Sequence, residues 1–301
     1  MTIYLFVFAV LCACGRGENE KAKKTRKQIK RGLKIVKENL GKEWDYEQFK
    51  MAFYQKTGLN LHQYKDRQME RRIRQLMQRE KKEDFYNFFR YLVESPPAME
   101  HFLNYLTINT SEFFRDEKVF AYLKETALPE LLRKYNQGLT IWSAGCSIGA
   151  EPYTVAIILD TLRALERAQI IATDLDDKAL SIAQKAVYDY KYLAKMPGEY
   201  LFSYFDYIQD RYYLKEKIKR KVTFKKHNLL TDPPVQGCHM ILCRNVFIYF
   251  KQEAQSFLLH RFAEALKPEG ILVIGSAEYI SNPAQYGLIK QHNTIYQKSK
   301  K

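Results

Sequence analysis

Apolar positions recur along the chain in two rhythms. From residue 43 to about residue 106 they fall at three- and four-residue steps. Trp44, Tyr46, Phe49, Phe53 and Tyr54 make one run, Met69, Ile73 and Leu76 a second, and Phe85, Phe88, Phe89 and Leu92 a third. That spacing gathers side chains on one helix face. Gly58 and Asn60 separate the first run from the second, and Ser95-Pro96-Pro97 ends the third. After Leu106 the rhythm changes. Short apolar runs at 139–144, 170–173, 222–225, 240–243 and 271–275 alternate with helical stretches near 150–164, 176–187 and 252–266. This alternation predicts a mostly parallel sheet with crossover helices. Two strand-like pieces at 286–289 and 294–297, joined by a polar turn, predict a terminal antiparallel hairpin.

The 301 residues, 46% hydrophobic and 28% charged, suit a globular chain rather than a disordered one. No apolar run reaches the roughly 18 residues of a membrane-spanning helix. Five scattered cysteines (Cys12, Cys14, Cys146, Cys238 and Cys243) form neither a disulfide framework nor a zinc pair, so a reducing, cytoplasmic setting without a metal is expected. The net charge of +15 is concentrated at the start, where residues 1–44 hold eleven Lys/Arg against four Asp/Glu. This leader opens on an apolar run, 3–14, that lacks a positive n-region. Ile29, Leu33, Val36 and Leu40 then recur at helical spacing among lysines. A disordered extension, an upstream start codon and a weak membrane contact through this segment all stay open.

The second helical run carries an arginine face. Arg67, Arg71 and Arg74 stand at i, i+4 and i+7, and Arg72 and Arg79 widen it. A charged face is ordinarily just solvated. Arginine in preference to lysine, with few carboxylates expected to pair with it, favours a surface for an acidic partner.

The chemistry concentrates where the first two strands end. Ser143-Ala144-Gly145-Cys146-Ser147-Ile148-Gly149-Ala150-Glu151-Pro152 places two glycines where a backbone can approach a ligand, and Pro152 opens the next helix. The spacing is G-x-x-x-G without a following G-K-[ST], which weakens dinucleotide and P-loop readings. The second strand ends in Thr173-Asp174-Leu175-Asp176. One of these acids can accept both hydroxyls of a ribose, and the other can cap a helix.

Five motifs appear in order: Asn109-Thr110-Ser111-Glu112-Phe113-Phe114-Arg115, Trp142-Ser143-Ala144-Gly145-Cys146, Ala172-Thr173-Asp174, His227-Asn228-Leu229-Leu230, and Cys243-Arg244-Asn245-Val246-Phe247-Ile248-Tyr249-Phe250. Together they resemble the chemotaxis receptor methyltransferases of the CheR family over about residues 45–298, in wording closest to Gram-positive members. The resemblance implies a class I S-adenosylmethionine-dependent methyltransferase fold, α/β and Rossmann-like, at 107–301. It also implies an all-α receptor-recognition domain at 45–106 and a small inserted β-subdomain at 188–220. The cofactor would be S-adenosylmethionine, with S-adenosylhomocysteine as product. The cofactor site would comprise Asn109, Ser111, Arg115, Gly145, Glu151, Asp174, Asn228, Leu229, Arg244 and Asn245. Tyr249, Arg115 and Arg244 would stand at the reacting groups. The implied partner is the cytoplasmic helical region of chemoreceptors, met by Arg67, Arg71, Arg72 and Arg74, and the reaction is methyl-ester formation on glutamates.

The chain departs from the family's wording at Ala150, where many members carry Glu, and at Cys238-His239, where Phe-Asp is usual. A strand-edge histidine is ordinarily structural, and no catalytic role is assigned to His239. The aromatic stretch from Tyr188 to Tyr213 is read as a lid packed on the core rather than a peptide tether. Two other readings stand beside this one. A nucleic-acid methyltransferase would use Asp232-Pro233-Pro234-Val235, but that segment lacks the aromatic and precedes the fourth strand. A regulator that senses S-adenosylmethionine without turnover is the other.

Overall fold

Two helices of the first part begin at an aspartate whose side chain caps them. The computed structural model describes residues 44–106 and 111–300; the leader and Asn109 lie outside them. Helix α1 (Tyr46–Thr57) opens with a capping box in which the Asp45 carboxylate accepts from the Gln48 N–H and Gln48 accepts from the Asp45 N–H. It closes on Gly58 in the left-handed region, φ 75°. Helix α2 (Asp66–Arg79) follows, then α3 (Phe85–Glu94), capped by Asp84. Pro96 and Pro97 end α3 and also open α4 (Pro96–Leu106), since a proline at the first helical positions loses no hydrogen bond.

Two compact units share the chain. One includes the described residues to His62 together with Met69–Met99; the other is Gln63–Gln68 with the residues from Glu100 onward. In the first, Trp44, Tyr46, Phe49, Phe53, Ile73, Leu76, Phe85, Phe88 and Leu92 are buried, as the periodicity predicts. Phe49 sits at its centre, with ring contacts to Phe53, Phe85, Phe88 and Phe89. Tyr54 is a correction: it is 47% exposed, because one step after Phe53 it rotates off the buried face. The arginine face also differs from expectation. Arg74 pairs with Glu70 one turn earlier at 2.8 Å and lies over the Phe85 ring, so part of that face is internally neutralised.

The second unit is built on a seven-stranded sheet. In chain order the strands and main helices are β1 (Leu139–Ala144), α5 (Ala150–Thr161), β2 (Ala168–Asp174), α6 (Asp177–Lys185), β3 (Val187–Tyr188), β4 (Phe205–Ile208), β5 (Arg211–Leu214), β6 (Val222–Lys226), β7 (Cys238–Cys243), α7 (Gln252–Ala265), β8 (Leu266–Ile274), β9 (Leu288–His292) and β10 (Ile295–Lys298). The sheet order is β6-β2-β1-β7-β8-β10-β9. The first five are parallel, and β10 runs antiparallel to both β8 and β9, the predicted hairpin. This is the order of a class I methyltransferase.

Alternate residues of each strand feed two cores. Ile141, Ile170, Met240, Leu242 and Val273 face the side of α5. Trp142, Ile171, Ile241, Cys243, Leu272 and Ile274 face that of α7. Strands buried on both faces read as continuous apolar runs, which is why β7 is buried along its whole length. The chain leaves β1 toward β2 on one side and returns to β7 on the other, opening a crevice at the carboxyl ends of β1 and β7. Strands β3, β5 and β4 form a separate antiparallel sheet. Its aromatic residues divide: Tyr188, Tyr200 and Phe205 join the core, whereas Tyr190, Phe202 and Tyr207 are exposed.

Candidate active site

Of the predicted residues, Gly145, Glu151, Asp174, Arg244 and Asn245 gather at the carboxyl ends of β1, β2 and β7, while Asn228 and Leu229 follow β6. Gly145 leaves β1 at φ 84°, and a Cβ there would lie 2.7 Å from Val246 Cγ2. Only glycine lets these two strand ends approach so closely. The Gly145 and Cys146 N–H groups donate to the Thr173 carbonyl, fixing the turn against β2.

Of the two acids at the end of β2, Asp176 takes the helix-capping role. Asp176 caps α6, accepting from the Lys178 and Ala179 N–H groups. The Asp174 carboxylate faces back toward the turn, where it accepts from Ser147 N–H at 2.7 Å and Asp176 N–H at 3.0 Å. Burial raises its pKa, while those two backbone bonds pull it down. Each oxygen retains a lone pair for a further donor.

At the neighbouring edge, Glu151 in the first turn of α5 accepts from Ser143 Oγ at 2.6 Å and meets Arg244 at 3.4 Å. Burial raises the Glu151 pKa; the Arg244 charge opposes it most strongly, with Arg115 contributing. Arg244 is 3% exposed at its side chain and also donates to Asp116 at 2.7 Å and to the Arg115 carbonyl at 2.8 Å. Its guanidinium lies over the Phe120 ring. One buried cation therefore holds the Arg115 segment to the β7 end. The N–H of neighbouring Phe114 is bound in turn by Thr154 Oγ1 of α5. Ser111 is half-buried at the start of this segment.

Beyond Arg244, Asn245 adopts φ 60°, and Phe247–Tyr249 form a 3₁₀ turn that carries Tyr249. On the β6 side, Asn228 Oδ1 accepts from Leu230 N–H, while its own N–H donates to Asp232. The Asp232-Pro233-Pro234 loop is thus a structural turn, held by Arg261 through the Leu229 and Asp232 carbonyls. Leu229 and Val246 remain half-buried beside the α7-side core.

Sequence reasoning missed two contributors: Asp116 and Glu278. Glu278 is buried past the end of β8 and accepts from the N–H groups of Gly275 (2.6 Å), Asn245 (3.0 Å) and Ile248 (3.3 Å). It ties the Arg244–Tyr249 turn to β8. Burial raises its pKa against the pull of those bonds. A readable signal existed, since an acid three residues beyond Gly275 can turn back on its own strand end. His239 is structural: buried, with Nδ1 accepting from Thr140 N–H at 2.8 Å and its pKa lowered by burial. An acceptor at the start of β7 is all that position requires, and a neutral imidazole serves as well as a carboxylate.

The arrangement is a crevice at the carboxyl ends of β1 and β7 with a buried ion network at one edge. The family description "CheR methyltransferase, all-alpha domain" matches residues 44–107, and "CheR methyltransferase, SAM binding domain" matches residues 109–295. The chain belongs to the CheR methyltransferase family. A chemotaxis protein methyltransferase of Listeria monocytogenes is 35% identical over 257 residues, covering 85% of this chain and 98% of that one. One from Borreliella burgdorferi is 32% identical over 240 residues, covering 75% and 85%. Chemotaxis protein methyltransferase 2 of Pseudomonas aeruginosa is 31% identical over 250 residues, covering 78% and 86%.

As in the family's second domain, S-adenosylmethionine is the cofactor of this chain. The residues fit it. The Gly145 turn has no Cβ to bar a ligand from the end of β1, and Asp174 has acceptor capacity beside it. Half-buried Leu229 and Val246 offer apolar contact. The match to the SAM-binding domain spans residues 109–295, which include this crevice at the β1–β7 switch point.

Proposed function

We propose that the chain methylates the side-chain carboxylates of glutamates on the cytoplasmic helical region of chemoreceptors, forming methyl esters, and that it acts in the cytoplasm. The observation that carries this reading is the match across both family domains to chemotaxis protein methyltransferases, 98% of the length of one relative.

The local chemistry agrees with an acidic acceptor. A glutamate side chain is already ionised near neutral pH, so its attack needs no general base. Bound S-adenosylmethionine supplies an electrophilic methyl group. The protein must then align the two reactants and exclude water. Asp174 would take the ribose hydroxyls, with Asn228 and Leu229 at the adenine side. Gly145, Glu151, Asn245 and Ser111 would complete the cofactor site with Asn109, which lies outside the described residues. Tyr249 would stand beside the transferred methyl group. Arg244 has both neighbouring acids, Glu151 and Asp116, within its reach. It would thereby keep their charge from repelling an incoming carboxylate. Arg115 would supply positive charge at the same edge. Arg67, Arg71, Arg72 and Arg74 of α2 would meet the acidic receptor surface.

The test incubates the purified chain with methyl-labelled S-adenosylmethionine and a chemoreceptor cytoplasmic fragment from the same organism. Base-labile label released from the fragment as methanol is the expected result. Cofactor binding with every receptor fragment unlabelled would refute it, and label on DNA or RNA would move the substrate to nucleic acid.

A further inference from the structure

Four residues ahead of the arginine face fold with the second unit. Residues 63–66 run antiparallel to Tyr249–Lys251 and pair with them through a β-bridge between Tyr64 and Phe250. The Lys65 N–H donates to the Tyr249 carbonyl at 2.9 Å, and the Lys251 N–H donates to the Gln63 carbonyl at 2.9 Å. The Asp66–Lys251 ion pair closes the end of this strap at 2.5 Å. It therefore grips the backbone of the segment that presents Tyr249.

The side chain at the centre of the strap is Tyr64. Its ring packs on Phe250 with centroids 5.0 Å apart. It lies half-buried against the same α7-side core as Leu229 and Val246, the latter touching the space that Gly145 leaves open. An aromatic ring held by backbone hydrogen bonds on both sides and packed on Phe250 is a surface suited to a flat heterocycle. Its hydroxyl is close enough to Asp174 for that carboxylate to add to the effect of burial, which together push the phenol up to about 12. Tyr64 thus stays protonated at neutral pH and remains a hydrogen-bond donor.

We infer that Tyr64 is a cofactor-binding residue, its ring walling the nucleoside half of the S-adenosylmethionine site opposite Asp174 and its hydroxyl serving the ribose edge. The strap couples this wall to Tyr249, so the nucleoside and the methyl-transfer side are set by one short segment. The inference rests on S-adenosylmethionine binding and not on the identity of the methyl acceptor.

Isothermal titration of S-adenosylhomocysteine into the full chain, without acceptor, tests it. Tyr64→Phe is expected to weaken binding about 3- to 10-fold, the loss of one hydrogen bond. Tyr64→Ala is expected to weaken it about 30-fold or more. 5′-Methylthioadenosine, which lacks the amino-acid half, is expected to lose affinity by the same factors. A structural role would instead lower the melting temperature while leaving the affinity of Tyr64→Phe for both ligands unchanged. Tyr64→Phe, which preserves the ring and the Phe250 contact, decides the matter should Tyr64→Ala fail to fold. Unchanged affinity in Tyr64→Phe and Tyr64→Ala, or a loss confined to S-adenosylhomocysteine, overturns the assignment. A wild-type chain that binds S-adenosylhomocysteine but labels no receptor would overturn the glutamate reading and leave this test intact.

Discussion

Glu278→Gln probes how far the turn carrying Tyr249 depends on one carboxylate. In the wild type, Oε2 accepts from Asn245 and Gly275, and Oε1 accepts from Ile248. The amide oxygen can keep the first pair, but as a neutral acceptor it gives up about 1 kcal/mol per bond relative to an ion. The amide nitrogen then faces the Ile248 N–H, donor against donor, which leaves a buried group unpaired at a cost of about 1–3 kcal/mol. Relief of the buried charge, the same effect that raises the Glu278 pKa, opposes these losses. The net expectation is a destabilisation of about 1–3 kcal/mol, read as a lower urea midpoint at constant slope. S-adenosylhomocysteine affinity should fall with it, because Asn245 and Tyr249 share the loosened turn. Glu278→Ala should be worse, with three N–H groups unpaired. A Gln variant with wild-type midpoint and wild-type affinity would refute the reasoning.

Asp174→Asn should bind S-adenosylhomocysteine at least 10-fold more weakly, and its amide nitrogen, facing either the Ser147 or the Asp176 N–H, offsets the stability gained by removing the buried charge. The raised folded pKa of Asp174 means that its ionisation destabilises the fold as pH rises from about 3.9 through that pKa. Wild type should therefore gain stability relative to the variant on acidification, as chemical denaturation across pH will reveal. Gly145→Ala forces a left-handed alanine and a 2.7 Å approach to Val246, for an expected loss of about 1–3 kcal/mol in thermal melts and a larger drop in cofactor binding. Replacing Arg71 and Arg74 together by Ala should raise the receptor KM about 3- to 10-fold while leaving S-adenosylhomocysteine affinity unchanged. Because the Arg74–Glu70 pair is surface-exposed, that double variant should lose less than about 1 kcal/mol of stability.

What could be read in advance was whatever repeats locally. Strands buried on both faces, such as β7, announce themselves as apolar runs, and α1 carries its own cap and stop in Asp45 and Gly58. The capping role was legible in the Asp174–Asp176 pair, though only the backbone path decides that Asp176 caps α6 while Asp174 turns back to Ser147. Strand β8 starts at Leu266, five residues before the apolar run that predicts it, because pairing with Cys238 extends a polar segment along β7. The contacts that assemble the site cross long stretches of chain. Asp116 lies 128 residues from Arg244, Glu278 lies 33 from Asn245, and Tyr64 meets Phe250 through a bridge that no local pattern encodes. Pro96-Pro97 reads as a terminator, yet the same two residues are the first of the next helix.

The strap also bears on how such a chain can be cut and recombined. The all-alpha and SAM-binding descriptions meet at residues 107–109, but Gln63–Gln68 folds with the part that lies beyond them. A gene fusion or expression boundary placed at residue 108 would carry away the backbone partner of Tyr249 and Lys251 and leave that strand edge exposed. The helical module is therefore not an exchangeable cassette. Swapping receptor specificity between relatives should succeed when the graft starts after Gln68 and fail when it replaces the module whole, unless the donor's strap matches the recipient's Tyr249 segment.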